Sequence, residues 1–202
     1  MKIVSRGDVE PLVDRRGADL KNISIGLGWH ASGAPMGRDP FDLDVSLALL
    51  DYNGKAHKKE DLVFYDRKIT LDGLIYHSGD NTYGGEDNDD DDQEVIKIKD
   101  LNKIPREYEY VRIAASVHKA KINGYTFGKI TNAYLRIIDN IGGHQLMRYN
   151  LTGDFFDQTC VVVADITRDR SSWAFSAVGE SIEGGFGDLL RQYGFNPRGL
   201  AA

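Results

Sequence analysis

Asp42 and Asp44 stand two apart in Phe41-Asp42-Leu43-Asp44-Val45-Ser46-Leu47-Ala48-Leu49, where every odd position is apolar. That alternation is the pattern of a strand with one face in a core. Both carboxylates therefore point to the face opposite Phe41, Leu43 and Val45. The turn Asp39-Pro40 just ahead places them at the strand's start, near a rim. Like charges so placed repel unless a cation or solvent separates them. A second acidic feature begins at His77-Ser78-Gly79-Asp80-Asn81, where a strand breaks at Gly79, and ends in Asn88-Asp89-Asp90-Asp91-Asp92-Gln93-Glu94. Between Asp80 and Glu94 there are eight acids and neither Lys nor Arg, a local charge of −8 in a chain of net charge −6, so the remainder carries +2. The acidity is one local feature on a nearly neutral body.

This loop offers carboxylates, amide oxygens and, through its glycines, inward-turned carbonyls. These are the donors that calcium takes in sets of six to eight. Zinc is disfavoured because no Cys or His cluster has ligand spacing, and magnesium favours fewer protein ligands and more water. The helix-flanked EF-hand loop does not fit. A frame from Asp87 puts Asp92 where its Gly belongs and Ile98 where its Glu belongs; a frame from Asp80 recovers Gly85 but gives Thr82, Gly84 and a closing Asp91. The plain alternative is a solvated acidic run, against which the Asp42–Asp44 pair weighs.

The elements that must position these residues are mostly strands. Ile23, Ile25 and Leu27 alternate, as do Val95/Lys97 against Ile96/Ile98. Further β-branched and aromatic runs cover Leu62 to Tyr65, Leu74 to His77, Tyr110 to Val117, Ala133 to Ile138, Cys160 to Ile166 and Trp173 to Val178. Turn signals at Asn53-Gly54, Asp72-Gly73 and Gly142-Gly143 separate them, the first two reading as tight hairpins or loops. One segment has a helical face, Phe186, Leu189, Leu190 and Tyr193 before Gly194, and a short helical turn fits Leu101 to Glu107. The expectation is a mainly β protein, an antiparallel β-sandwich with a short C-terminal helix, in a single domain over residues 1–202.

Composition narrows the function classes. No run of about 18 apolar residues exists, so no transmembrane helix is expected. The start of the chain lacks a signal peptide's apolar stretch, and Cys160 is the single cysteine, which points to a cytoplasmic protein. A basic footprint for nucleic acid is missing. Cys160 reads as core packing, and one thiol falls short of the pair that thiol-based reduction would want. His77 and His118 end strands and read as structural, and Trp29 and Trp173 as core or rim aromatics. Gly84-Gly85 and Gly184-Gly185 lack the context of a phosphate loop.

Ile25-Gly26-Leu27-Gly28-Trp29, Phe41-Asp42-Leu43-Asp44-Val45-Ser46, His77-Ser78-Gly79-Asp80-Asn81, Phe127-Gly128-Lys129-Ile130-Thr131-Asn132-Ala133 and Trp173-Ala174-Phe175-Ser176-Ala177-Val178-Gly179 together resemble the TerD family of tellurite-resistance and stress operons. The resemblance spans nearly the whole chain, with the motifs in the expected order. It implies a β-sandwich that binds Ca2+ through Asp42, Asp44, Asp80 and Asn81, with Glu86, Asp89, Asp90 and Asp91 as the candidate loop ligands. The loop departs from the family's shorter Gly-Asp-Asp-Glu ending, and His30 stands where an acid is expected. Implied with it are a non-enzymatic, calcium-dependent interaction module, stress-operon protein partners, and a location in the cytoplasm or peripheral at the inner membrane surface. The competing readings are a calcium-dependent membrane attachment module, a small-ligand module, and a metal-dependent hydrolase. The last requires a general base that the sequence does not single out.

Overall fold

A computed structural model describes residues 1–30, 39–85, 91–169 and 172–199, the side chain of Asp169 excepted. Two sheets face each other. The first runs β1 (Lys2–Val4), β11 (His144–Asn150), β10 (Thr131–Asp139), β3 (Ile23–His30), β8 (Glu94–Ile98), β7 (Ile75–His77), β6 (Ile69–Thr70). The second runs β2 (Val9–Pro11), β13 (Ser172–Ser181), β12 (Cys160–Asp169), β9 (Tyr110–Val117), β4 (Leu43–Leu50), β5 (Leu62–Val63). Among the described residues every pairing between these strands is antiparallel except β1 with β11, which is parallel. The sandwich expected from the alternating strands is present.

Alternation sets the core. Leu43, Val45, Leu47 and Leu49 of β4 pack with Ile23, Ile25 and Leu27 of β3 and with Ile96 and Ile98 of β8 between the sheets. Period two alone would leave the other face of β4 to solvent, yet all eight of its residues are buried. Over the second half of the strand the reason is helix α2 (Phe186–Gln192): Leu189, Leu190 and the following Tyr193 pack with Ala48, Leu50, Ala114, Cys160 and Val162. Seven residues are too few for a helix to persist alone, but each leucine so buried contributes about 1.5–3 kcal/mol as an upper estimate. Packing therefore holds α2, and Cys160 is part of what it covers. Asn53-Gly54 proves to be a turn within the link of residues 51–61 between β4 and β5, and Leu101–Lys103 is a single 3-10 turn. Helix α1 (Ala120–Asn123) is one turn long.

On the outer face of β3, Gly26 and Gly28 have no side chain because neighbours occupy that space. A Cβ on Gly28 would lie 2.3 Å from the Tyr134 ring, and one on Gly26 would lie 2.1 Å from the Asp92 carboxyl. Asp92 is held there by Arg136, whose Nε donates to Asp92 Oδ1 at 2.7 Å, with both side chains only 7% exposed. The end of the acidic loop is thereby laid across β3 and delivers Glu94 to the first position of β8. Gly28→Ala forces the Tyr134 ring aside and should cost about 1–3 kcal/mol in denaturant unfolding; a loss below a few tenths would show that the ring yields freely.

Candidate metal centre

The site forms at one corner of the sandwich, where β4 of one sheet meets β7 and β8 of the other. β5 pairs with β4 only at Leu47 and Ala48, which leaves the first half of β4 without a full strand partner on that side. Its Val45 N–H donates instead to the Glu94 side chain, at 2.8 Å from Oε2. Glu94 has no exposure to solvent. His77 lies beside it, its Nε2 3.4 Å from the same oxygen, and both side chains are fully buried. The Gly79 N–H donates to His77 Nδ1 at 3.0 Å, which leaves Nε2 as the ring nitrogen on the Glu94 side. Burial raises the Glu94 pKa, while His77 and the Val45 amide pull it back.

Asp42 and Asp44 come side by side from the start of β4, as their spacing requires. Segment 39–41 is pinned by Trp29 Nε1, which donates to Phe41 O at 3.0 Å, and by the Tyr125 hydroxyl, which donates to Asp39 O at 2.8 Å. Asp80 enters from the loop after β7, where Gly79 adopts φ +126. One carboxylate oxygen from each of Asp42, Asp44 and Asp80 can lie within 4.8 Å of the others. Asp42 is 9% exposed and Asp44 5%, and the Oδ1 atom of each is buried without a hydrogen-bond partner. On the other oxygen of Asp44, Oδ2, the His118 ring closes at 3.3 Å through Nδ1. Burial, and then the Asp44 charge, push the Asp42 pKa up to about 7. Burial also raises Asp44, against the opposing pull of His118. His118 is raised in turn, chiefly by Asp44. Burial is the first cause of both carboxylate shifts, and neighbouring acids add to it.

Of the sequence-predicted ligands, Asp42, Asp44 and Asp80 come together. Asn81 stands next to them with its side chain engaged: Oδ1 accepts from the Tyr83 N–H at 3.0 Å and Nδ2 donates to Gln93 Oε1 at 2.9 Å. Asp91 is exposed and outside the three-carboxylate group, and Glu86, Asp89 and Asp90 lie outside the described residues. Asp92, another acid of that run, is engaged with Arg136. Sequence reasoning left His77 and His118 as structural strand ends and placed Glu94 only among the loop acids; the structure sets His77 against Glu94 and His118 against Asp44. Glu94 did carry a signal, because it keeps phase with Ile96 and Ile98 and is an acid on the core face of its strand.

The sequence matches the family model for the TerD domain over residues 3–193. It is 36% identical over 177 residues to the tellurium resistance protein TerD of Serratia marcescens, covering 88% of this chain and 89% of that protein. It is 33% identical over 175 residues to general stress protein 16U of Bacillus subtilis, covering 87% and 88% respectively. A crystal structure described as a homologue of telluride resistance protein (TerD), from Streptomyces coelicolor, superposes with a TM-score of 0.66 at 20% identity, covering 82% of this chain and 92% of that one. The last likeness is one of fold.

The ionisation pattern gives a pH dependence. Between the ordinary carboxylate range and about 7, the folded chain holds a proton on Asp42 that the unfolded chain has released. Stability of the metal-free protein therefore falls as pH rises through that window. His118 acts in the same sense, since its raised pKa supports the fold below its unfolded value and that support is lost as pH climbs through its folded value. Melting temperature in chelator should decline from about pH 5 to 8, and Asp42→Asn should flatten the decline; equal slopes for the two proteins would remove Asp42 from the account. Glu94→Ala strands the Val45 amide and should cost about 1–3 kcal/mol in chemical denaturation, whether or not metal is present.

Proposed function

The chain belongs to the TerD family, and on that footing we propose that it is a calcium-binding stress-response protein of tellurite resistance, working as a non-enzymatic interaction module. One observation carries the calcium reading. Asp42 Oδ1 and Asp44 Oδ1 are buried, unpartnered and close to Asp80, and burying carboxylate oxygens with nothing to neutralise them is costly. The donor set is all oxygen, which fits a hard cation. Asp42, Asp44 and Asp80 would hold the ion, with Asn81, Glu86, Asp89, Asp90 and Asp91 as the loop positions that the family resemblance adds. When bound, calcium supplies the positive charge that this corner lacks.

The residues themselves define the switch. Asp44 sits on a strand buried on both faces and Asp42 immediately precedes that strand, whereas Asp80 is exposed on a loop anchored by Gly79 and Asn81. Charge neutralisation at the pair draws the loop toward β4 and sets the surface that a partner reads. Partners are other stress-operon proteins, including membrane-associated ones, in a cytoplasmic setting or at the inner membrane surface. The fit of His118 against Asp44 also favours a second reading, a metal-dependent hydrolase with His118 as general base. Turnover of a simple phosphate ester with calcium or manganese would support it, and its absence would leave the binding module.

Calorimetric titration of chelator-stripped protein should show saturable calcium binding that Asp42→Asn with Asp44→Asn abolishes. At a free calcium concentration of about 100 times the dissociation constant, the wild type should gain roughly 2.7 kcal/mol of stability. No heat and no rise in melting temperature would sink the reading.

A further inference from the structure

Beside the three carboxylates lies a cleft of about 220 Å³, lined by Asp42, Thr82, Tyr83, His118, Lys119 and Asn123 among others. Its make-up is mixed in charge. Asp42, with its unpartnered Oδ1, and Asp39 contribute the negative part. His118 and Lys119 contribute the positive part, and Lys119 does so from a left-handed backbone, φ 45 and ψ 30. That conformation is uncommon for lysine, and such outliers gather at ligand clamps. The Lys119 ammonium has only a loose companion: it lies 3.7 Å from Asp39 Oδ2, with the side chains 52% and 61% exposed. An exposed pair of that kind is exchanged for a better anion at little cost. Tyr83 is 72% exposed and presents a large ring beside the cleft.

The cleft opens on Asp42, one of the three grouped carboxylates. We propose that it binds the phosphate group of a phosphate monoester, held jointly by the cation at Asp42, Asp44 and Asp80 and by the Lys119 ammonium. This rests on the calcium reading above. A phosphate monoester carries close to two negative charges and three acceptor oxygens, enough to face the ion and Lys119 together, and Tyr83 covers the organic portion of the ester. Without the ion the same carboxylates repel the phosphate, so capture is conditional on calcium. The phosphate can belong to a soluble metabolite or to a lipid headgroup.

The test is calorimetric titration of glycerol 3-phosphate into the calcium-saturated protein and into the same protein in chelator, each repeated with Lys119→Asn. Asparagine tolerates the left-handed backbone, so the variant keeps the loop while removing the cation. Saturable binding in calcium alone is expected, weakened about tenfold or more in the variant by loss of a charge-assisted contact. Calcium affinity of the variant should stay within about twofold of wild type, as Lys119 is exposed. Normal calcium binding with no glycerol 3-phosphate binding, or with binding indifferent to Lys119→Asn, overturns the proposal and leaves the calcium reading standing. Absence of calcium binding overturns both. Sedimentation with phosphatidylcholine vesicles containing phosphatidic acid separates the sources. Pelleting that needs both calcium and Lys119 assigns the phosphate to lipid, and binding in solution without pelleting assigns it to a soluble ester.

Discussion

A carboxylate shut off from water ties the two sheets together at the corner where the chemistry lies. Glu94 belongs to β8, yet its acceptor serves the Val45 amide of β4. An anion in so dry a place is tolerable only with hydrogen bonds and a nearby donor, and the Val45 amide and His77 meet that need. The consequence reaches outward. With Glu94 fixed, the strand that carries Asp42 and Asp44 stands at a set distance from the loop that carries Asp80, and three carboxylates meet that would otherwise repel one another.

The acidic loop is less uniform than its sequence looks. Asp92 is taken by Arg136 above Gly26, and Asn81 spends its side chain on the backbone and on Gln93. These two clamps sit on either side of the run of acids and give it fixed ends. A solvated charge run would show neither a nearly buried ion pair nor an orphaned pair of carboxylate oxygens facing one of its residues.

Much of this was legible from period two alone. The alternation through Leu43, Val45, Leu47 and Leu49 placed the core face and, by subtraction, the face of Asp42 and Asp44. Tyr110 to Val117 came out with its observed bounds. What escaped depended on distant partners. β11 has a mixed sequence, His-Gln-Leu-Met-Arg-Tyr-Asn, and is a strand because β10 and β1 flank it. The engagement of Asp92 needs Arg136 and a glycine on another strand. The burial of the outer face of β4 needs a helix from the far end of the chain. His77 and His118 gave only their positions at strand ends, and the carboxylates they meet come from other elements. Tertiary neighbours, not local pattern, decide such cases.

The edges of the sandwich carry one more consequence. The four outermost strands, β1, β2, β5 and β6, are two or three residues long, the length at which an edge offers little template for another chain to extend. Two of them, β1 and β2, are made early, yet they pair with β11 and β13, whose residues follow only after most of the chain has been synthesised. Loops of that length close slowly. During synthesis β1 and β2 therefore stay without these strand partners until β11 and β13 have emerged.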